Sequence, residues 1–549
     1  MFSNIRCIVV LTAVFIAITP SGFAADIRDV VGVAHIDGRY SFPIGSWPVT
    51  DGTKRDYLNE GADEVARLGT NVIKVWLHPN AVSWYHYTAN PSFPTSWYYT
   101  TPENRLVSIA SSPQFSALFQ RPFKTFVLNI MSNVPIYTNG SEDVTKFGFY
   151  DSVLDGLTAS ERNTEQQAMY NLAIYLLDTY RGSGKTFVFQ NHEGDHILRL
   201  DLSCHCQDLP SAPPERVQPM IDWTNARQDG VTTARNARPG AGVTVVNAAE
   251  VNDVWDSSNN MSWISMVNSV IPYTHCDLYS YSAWDSRPDV EGRFAHDLDY
   301  LATQAPDSAL YGDRDIYIGE YGQAENTQGG AQAQLDTIRR MTEIALGWGV
   351  RYTLYWNLYC NEPTDPAITS PDIRPTNSQM AGLWLIRPDG THAPVYDYFV
   401  GLFQKSVHRV TFRAYYPYYV SADEFQAERV VADRTEARQW EHFAVIDLNG
   451  GVLNPGDQVN IISHTGHYVC AELNGGDVVN ANRTQGGPWE TFTILKQNGS
   501  GGIVTNDAIA LQTGGGYYFV AEGGGGPGSV VNANRLVIGV WETFTYSEE

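Results

Sequence analysis

Positively charged side chains are scarce in this chain. Its 549 residues include 36 Lys and Arg against 60 Asp and Glu, which gives a formal net charge of −24 at pH 7. No basic stripe interrupts this acidic background. Because nucleic acids and anionic membranes are bound largely through Lys and Arg, neither is expected as a partner. A neutral substrate fits the charge better, and the sequence leaves the oligomeric state open.

Apolar runs long enough to cross a membrane are also missing. One run, residues 8–18, follows Arg6 but is shorter than the roughly 20 residues that a bilayer requires. The small residues Ala24 and Ala25 come soon after it. This order predicts a secretory signal peptide over residues 1–24, with a membrane helix as the alternative. The mature protein is therefore expected to be secreted or periplasmic.

Cysteine is rare as well. Removal of the signal peptide takes away Cys7 and leaves five cysteines, so at least one thiol is expected to be unpaired. Their pairing stays open. The run 204–206, Cys-His-Cys, suggests a metal site with His192 and His196, but no second ligand pair follows at a recognisable spacing. We therefore predict no metal and no organic cofactor.

The end of the chain carries one short pattern three times. Each copy has an Arg, then a Trp-Glu-x-Phe group that begins 6 residues later. The copies are Arg434 with Trp440 to Phe443, Arg483 with Trp489 to Phe492, and Arg535 with Trp541 to Phe544. A fixed period of about 50 residues indicates repeated copies of one supersecondary unit. Residues 404–549 are therefore predicted to form a closed, pseudo-threefold all-β body, with the repeated Trp and Phe in its core.

Residues 25–403 alternate between short apolar runs and amphipathic helical stretches. The runs are apolar on both faces, as the strands of a buried parallel sheet must be. Eight of them with helices between predict a (β/α)₈ barrel. A doubly wound open sheet is the alternative, but no glycine-rich phosphate loop follows the first run. The eight runs are 30–34, 72–77, 125–130, 186–190, 243–246, 277–281, 316–319 and 352–356.

Carboxylates follow two of these runs. The fourth run is followed by Asn191, His192 and Glu193, and Glu320 follows the seventh. In a (β/α)₈ barrel the reacting groups sit at the carboxyl ends of the strands, so both carboxylates are expected on one rim. Cleavage of a glycosidic bond with retention needs such a pair, about 5 Å apart. Glu250, on the fifth strand, is a rival for the acid/base role and otherwise a group that binds substrate or holds its neighbours.

This layout resembles the large clan of retaining (β/α)₈ glycoside hydrolases, in which the acid/base Glu ends strand 4 and the nucleophile Glu ends strand 7. The resemblance implies Glu193 as acid/base and Glu320 as nucleophile. It further implies that a strand-6 tyrosine, Tyr281 or Tyr279, hydrogen-bonds the nucleophile, and that Trp356 floors the sugar site. Trp284 is a further candidate platform for a sugar ring. The clan usually has Asn directly before the acid/base, where this chain has His192.

The repeats resemble fascin-like β-trefoil domains, since a Tyr-Val or Phe-Val strand precedes each copy at 419–420, 468–469 and 519–520. The resemblance implies an accessory carbohydrate-binding domain over 404–549, with a purely structural cap as the alternative. We therefore expect a secreted retaining glycoside hydrolase that acts on β-linked oligo- or polysaccharide. A non-catalytic carbohydrate-binding protein on a barrel scaffold is the second hypothesis. The sugar, the linkage and the choice between internal and terminal cleavage stay open.

Overall fold

A computed structural model describes residues 25–36, 57–77, 100–130, 137–138, 141–142, 156–199, 211–368, 375–422 and 429–549. The predicted signal peptide and the run 204–206 lie outside these ranges. Within them, the first part of the chain is a closed barrel of parallel strands, and the second part is an antiparallel all-β domain.

Eight strands, each hydrogen-bonded in parallel to its neighbours, close the barrel. The predicted barrel is thus confirmed, and the open-sheet alternative is wrong because the first and eighth strands pair. The strands are β1 Val31–Ala34, β2 Val72–Trp76, β3 Thr125–Asn129, β4 Thr186–Gln190, β5 Thr244–Val251, β6 Leu278–Ser282, β7 Ile316–Tyr321 and β8 Thr353–Tyr355.

Helices connect the strands around the outside of the barrel. Between β5 and β6 the chain also forms a single π-turn, Met266–Val270. The helices are α1 Ile27–Val30, α2 Tyr57–Leu68, α3 Pro102–Ala110, α4 Pro113–Phe119, α5 Ala159–Thr179, α6 Gly194–Arg199, α7 Val217–Ala237, α8 Val254–Asn259, α9 Val290–Gln304, α10 Gly330–Trp348 and α11 Pro394–Leu402.

The barrel interior has an apolar layer below a polar layer. Near the amino ends of the strands it is filled by aliphatic side chains such as Val72, Val127, Val188 and Val246. Side chains of a strand alternate between its two faces, so the next inward positions of the first three of these strands hold Lys74, Asn129 and Gln190, all of them buried. The polar layer thus lies toward the carboxyl ends, where a (β/α)₈ barrel places its reacting groups.

Two strands are longer than predicted, and the extra length carries carboxylates. β5 continues past residue 246 and includes Glu250, and β7 includes Glu320. The pairing of β7 with β6 shifts register between Ile318 and Glu320. Such an irregularity re-aims a side chain, and here it places the Glu320 carboxylate beside the interior lysine of β2.

The described residues of the C-terminal domain form twelve strands. Six of them pair in a closed ring, β9–β12–β13–β16–β17–β20, and the other six form three hairpins. The strands are β9 Ser406–Arg413, β10 Tyr419–Ala422, β11 Val430–Arg434, β12 His442–Asp447, β13 Gln458–Ser463, β14 Tyr468–Ala471, β15 Asp477–Arg483, β16 Thr491–Lys496, β17 Ala508–Thr513, β18 Tyr518–Ala521, β19 Val531–Arg535 and β20 Phe544–Glu548.

The repeated aromatic residues divide between the core and the surface of this domain. The three phenylalanines, Phe443, Phe492 and Phe544, are buried together as predicted. The prediction that the tryptophans join them is wrong. Trp489 is 38% exposed and Trp541 is 40% exposed, because each stands in the turn before a strand rather than in the strand itself.

The repeated Arg and Glu form one ion pair in each lobe. The Nε of Arg434, Arg483 and Arg535 lies 3.9, 3.9 and 3.7 Å from a carboxylate oxygen of Glu441, Glu490 and Glu542. The glutamates also close the turn behind the strand: Glu542 accepts a hydrogen bond from the N–H of Gly539 at 2.7 Å. The repeated charges therefore have a structural explanation.

The two parts of the chain share a buried contact. The C-terminal half of α10 packs against the β13–β14 turn, where Tyr468 Oη donates to Glu343 Oε1 at 2.8 Å. His464 Nε2 lies 2.8 Å from Asp299 Oδ1 of α9. Apolar side chains of both parts belong to one continuous cluster. Because helices run antiparallel to the strands, the contact lies away from the carboxyl ends of the barrel strands.

The cysteines of the described residues are three free thiols, Cys276, Cys360 and Cys470, all buried. Burial raises the pKa of Cys276 to about 12. The expectation of at least one unpaired thiol is confirmed. In the described ranges, no helix is both long and apolar enough to cross a membrane.

Candidate active site

The turn after β4 presents Glu193 in a fixed position. Its φ is +47°, in the left-handed region that only glycine adopts freely. Its backbone N–H donates to Glu250 Oε1 at 2.7 Å, and the N–H of Glu250 donates to Asn191 Oδ1 at 2.9 Å. A Cβ at Gly194 would lie 2.1 Å from the carbonyl oxygen of Glu250. These close contacts between the β4 turn and β5 stabilise the left-handed residue.

Glu320 is buried and accepts hydrogen bonds on both carboxylate oxygens. Oε1 accepts from Lys74 Nζ at 2.8 Å. Oε2 accepts from Ser282 Oγ at 3.2 Å and from Trp284 Nε1 at 3.3 Å. One charge-assisted and two neutral donors on a single carboxylate fix its rotamer. A carboxylate held in one orientation is what a nucleophile requires.

His192 lies between the two carboxylates. Its Nε2 is 3.8 Å from Glu193 Oε2, and its Nδ1 is 3.8 Å from Glu320 Oε1. The ring packs edge-on against Trp76 with 4.7 Å between the centroids. Burial lowers the pKa of His192, although both neighbouring carboxylates act to raise it. His192 therefore lies next to both predicted reacting groups.

The Glu193 carboxylate also contacts His196 Nδ1 on the first turn of α6. Burial acts to raise the pKa of Glu193, but the two histidines and Lys74 outweigh it and lower the pKa to about 2. In the unliganded protein Glu193 is thus a carboxylate stabilised by imidazoles, rather than a carboxylic acid.

Glu250 has the opposite environment. It is fully buried, accepts hydrogen bonds from Gln190 Nε2 and Ser280 Oγ, and lies 3.8 Å from Lys74 Nζ. Burial is the main cause that raises the pKa of Glu250 to about 8, and repulsion from Glu320 adds to it. Because its oxygens are occupied by protein groups, the geometry favours the expectation that Glu250 holds its neighbours over a contact with substrate.

Tyr281 does not reach Glu320, so the predicted hydrogen bond is wrong. Its hydroxyl contacts Asp285 Oδ1, Ser286 Oγ and Asp297 Oδ2, on the outer side of β6. Tyr279 also faces outward and contacts Thr274. Ser280 and Ser282 occupy the inward positions instead. Alternation along the strand explains the exchange.

A cleft of ≈ 580 Å³ opens above these groups. Glu193, Glu320, Trp284 and Trp356 line it, as the sequence predicts for the two carboxylates and two sugar platforms. Asn191, His192, Glu250 and Tyr281 are not among its lining residues. Further carboxylates and one cation that the sequence did not single out line its walls: Asp253, Asp256, Asp285, Glu362 and Arg287.

Lys74 is the main residue that sequence reasoning missed. It is fully buried, donates to Glu320 and to the carbonyl oxygen of Gly319 at 3.1 Å, and lies 5.7 Å from the centroid of Trp356. A lone lysine inside an apolar strand is the signal that would have found it, since a buried charge requires a partner.

One group of side chains has the spacing of a metal site. Ligand atoms of His192, Glu250 and Glu320 lie within 4.8 Å of one another. The ammonium of Lys74 is 2.8 Å from Glu320 and 3.8 Å from Glu250, so this group already surrounds one positive charge. A metal ion there would be opposed by Coulomb repulsion at close range in a buried site.

Comparisons with known proteins give structural likeness only. No family model and no curated protein sequence matches the chain. A GH5_18 structure from Streptomyces cattleya in complex with GlcNAc is 12% identical, with a TM-score of 0.40, and the match covers 69% of this chain and 80% of that one. A GH39 β-xylosidase from Caulobacter crescentus is 11% identical, with a TM-score of 0.36, and the coverage is 72% and 84%.

A shorter match covers a quarter of the chain. The SDF2-like protein from Arabidopsis thaliana is 8% identical, with a TM-score of 0.22, and the match covers 25% of this chain and 91% of that one.

Proposed function

We propose that the protein is a secreted retaining glycoside hydrolase that cleaves β-linked oligo- or polysaccharide by double displacement. The observation that carries this proposal is that Glu193 and Glu320 reach one cleft from the ends of β4 and β7, beside two tryptophans. In this mechanism Glu320 attacks the anomeric carbon and Glu193 protonates the leaving oxygen. Trp284 and Trp356 offer ring faces to the sugar.

Lys74 supports the nucleophile in this scheme. Its hydrogen bond holds Oε1 of Glu320 in place, and the two further donors on Oε2 set the direction of attack. When the carboxylate forms a covalent bond to the sugar, the donors can shift toward the oxygen that stays free.

The acid role of Glu193 requires a proton that its low pKa does not favour in the unliganded protein. Contact with His196 offers a route, because an imidazole beside a carboxylate can exchange a proton with it. A bound sugar that displaces water would also raise the pKa of Glu193 through desolvation. Glu250 is the rival acid, because burial raises its pKa to about 8. It does not, however, line the cleft.

The second hypothesis is a non-catalytic carbohydrate-binding protein. The lowered pKa of Glu193 favours it, because a carboxyl group that stays ionised does not protonate a leaving oxygen. Residues 404–549 are proposed to be a β-trefoil accessory domain, which the closed ring of six strands and three hairpins supports.

The deciding experiment is a screen of aryl β-glycosides and polysaccharides with the full chain and three variants, Glu320→Gln, Glu193→Gln and Glu250→Gln. The proposal expects turnover with retained anomeric configuration, detected by NMR, and its loss in Glu320→Gln. Inverted configuration would overturn retention. Binding without turnover in every assay would support the second hypothesis. Full activity in Glu193→Gln on a natural substrate, with loss in Glu250→Gln, would move the acid role to Glu250.

A further inference from the structure

In the C-terminal domain the third lobe departs from the second. In the second lobe Glu472 bonds Asn480, 8 residues later, and Glu472 also pairs with Arg483. In the third lobe Glu522 makes the same bond to Asn532, but 10 residues later. The two extra residues belong to the glycine-rich segment 523–528. The ion-pair network is thus kept while the loop is lengthened.

The longer loop forms one wall of an open groove of ≈ 720 Å³. The other wall is the turn between β9 and β10, which the N–H of Tyr416 ties to the carbonyl oxygen of Gly524 at 2.8 Å. The groove is lined by Arg413, Tyr416, Pro417, Tyr418, Tyr419, Thr435, Gly525, Gly526 and Pro527. None of these residues carries a negative charge, although the whole chain is strongly acidic.

The glycines are required for the aromatic side chains to come together. A Cβ on Gly524 would lie 2.9 Å from the ring of Trp541 and 3.1 Å from the ring of Tyr416. A Cβ on Gly525 would lie 3.0 Å from the Cβ of Ala414. Both glycines have positive φ, 83° and 94°. The loop therefore has no space for a side chain between the two rings, which flank it closely.

These rings are exposed to an unusual degree. Tyr415 is 56% exposed, Tyr416 is 50% exposed and Trp541 is 40% exposed, and the two tyrosines contact each other edge-to-face at 5.2 Å. Clusters of exposed aromatic side chains mark binding sites. Arg413 lies over Tyr419, 5.7 Å from the ring centroid, and its Nε has no hydrogen-bond partner among the described residues.

We propose that this groove is a glycan-binding site that holds a polysaccharide chain. Sugar rings have apolar C–H faces that stack on Tyr and Trp, and hydroxyls that hydrogen-bond tyrosine hydroxyls and a guanidinium. Three tyrosines and Arg413 line the groove, and Trp541 flanks it at Gly524. Proline-rich peptides also bind to grooves lined by aromatic side chains. The choice of a glycan as the occupant rests on the proposed function of the barrel.

The test uses the full chain with Glu320→Gln, so that polymer is not consumed during the measurement. Affinity gel electrophoresis is run with a neutral β-glucan, a xylan and a polygalacturonate. We expect at least one polymer to retard the protein, and Trp541→Ala and Tyr416→Ala each to weaken the apparent affinity by about tenfold or more. Trp489→Ala is the matched control, because that Trp has the same place and exposure in the second lobe, without the groove; it should stay within twofold.

Circular dichroism and thermal melting are used as controls to check that each variant is folded. The proposal is overturned if no polymer retards the parent, or if only a polyproline peptide binds. It is also overturned if Trp541→Ala and Tyr416→Ala are folded and both bind like the parent. The same holds if Trp489→Ala weakens binding as much as these two variants do. The groove variants are also made in the chain that keeps Glu320, where both hydrolysis and polymer binding can be measured. These measurements separate this proposal from the proposed function of the barrel. Hydrolysis of small aryl glycosides without retardation refutes the groove alone, and retardation without hydrolysis refutes the enzyme alone.

Discussion

The ion pairs of the two parts of the molecule differ in how often they occur and in how deeply they are buried. In the C-terminal domain one Arg–Glu pair occurs three times at nearly the same distance, with the Arg partly exposed and the Glu closing a turn. In the barrel the Lys74–Glu320 pair occurs once, is fully buried and points into a cleft. A repeated pair is explained by the architecture that repeats it. The buried Arg227–Glu165 pair of the barrel is also single but lines no cleft, so the position of Lys74–Glu320 at the cleft is what indicates chemistry.

The strongest test of this contrast replaces one carboxylate in each part. Glu320→Gln is expected to lower kcat on aryl β-glycosides by at least about 10³-fold, because no covalent intermediate forms without the nucleophile. Glu490→Gln, the matched change in a repeated pair, should leave kcat unchanged. Steady-state kinetics of the two purified variants measure both effects. Equal losses of activity in both variants would contradict the contrast.

Glu193→Gln should discriminate between leaving groups. A poor leaving group needs the proton, so its kcat/KM should fall by about 10²- to 10⁴-fold, whereas an activated nitrophenyl glycoside should lose little. A series of aryl glycosides of graded leaving-group pKa gives the slope. A slope equal to that of the parent would remove Glu193 from the acid role.

Lys74→Met should move the pH profile as well as the rate. Without the ammonium, Glu320 loses its charge-assisted hydrogen bond, so the acidic limb of kcat/KM should shift to higher pH and kcat should fall by about 10²-fold. The matched change in the repeats, Arg483→Met, should alter neither. Lys74→Arg is the conservative variant, and a partial return of the acidic limb toward lower pH would separate charge from packing. A limb that does not move in Lys74→Met would contradict the assigned role.

Glu250→Gln should make stability less dependent on pH. The pKa of Glu250 is raised to about 8 in the native protein, so between the unfolded value and pH 8 the folded state binds more protons than the unfolded state. The contribution of Glu250 to the free energy of unfolding therefore falls as pH rises through that window, by up to about 1.4 kcal/mol per unit of pKa shift. Denaturant unfolding of parent and variant at pH 5 and pH 8 gives the difference. Parallel pH dependences would contradict the raised pKa.

Truncation after residue 405 should have the smallest effect on chemistry. The described residues that line the active cleft all precede the repeats, so a folded truncated barrel should keep its activity on small aryl glycosides. Its melting temperature should fall, because removing Tyr468 leaves Glu343 without that hydrogen bond and exposes the apolar cluster that both parts share. A truncated barrel that is folded by circular dichroism but inactive would show that the repeats contribute to the site.

The eight strands were predictable because a buried parallel strand is apolar on both faces, which makes it visible as a continuous run. Because both faces of such a strand are apolar, the sequence does not show which side chains point into the barrel. Tyr281 and Ser282 are equally plausible from the sequence, and only the register of β6 decides between them. Glu320 enters β7 through an irregularity that no local pattern announces. The position of the carboxylates was therefore predictable to the strand end, but not their hydrogen-bond partners.

The repeats show the complementary limit. Identity among three copies predicted the number of lobes, but it could not distinguish a conserved core residue from a conserved surface residue. Phe492 lies in a strand of the closed ring and is buried, whereas Trp489 stands in the turn before it and is exposed. The lengthened third loop was readable in the sequence, and its consequence for the neighbouring rings required the structure.

The arrangement of Lys74 between two carboxyl groups has a consequence for electroneutrality during the proposed reaction. Lys74 Nζ is 2.8 Å from Glu320 and 3.8 Å from Glu250. Esterification of Glu320 by the sugar removes one negative charge, and with it the repulsion that helps to raise the pKa of Glu250. The attraction of Lys74, which acts to lower that pKa, stays. Formation of the glycosyl-enzyme should thus lower the pKa of Glu250, and its hydrolysis should raise it again.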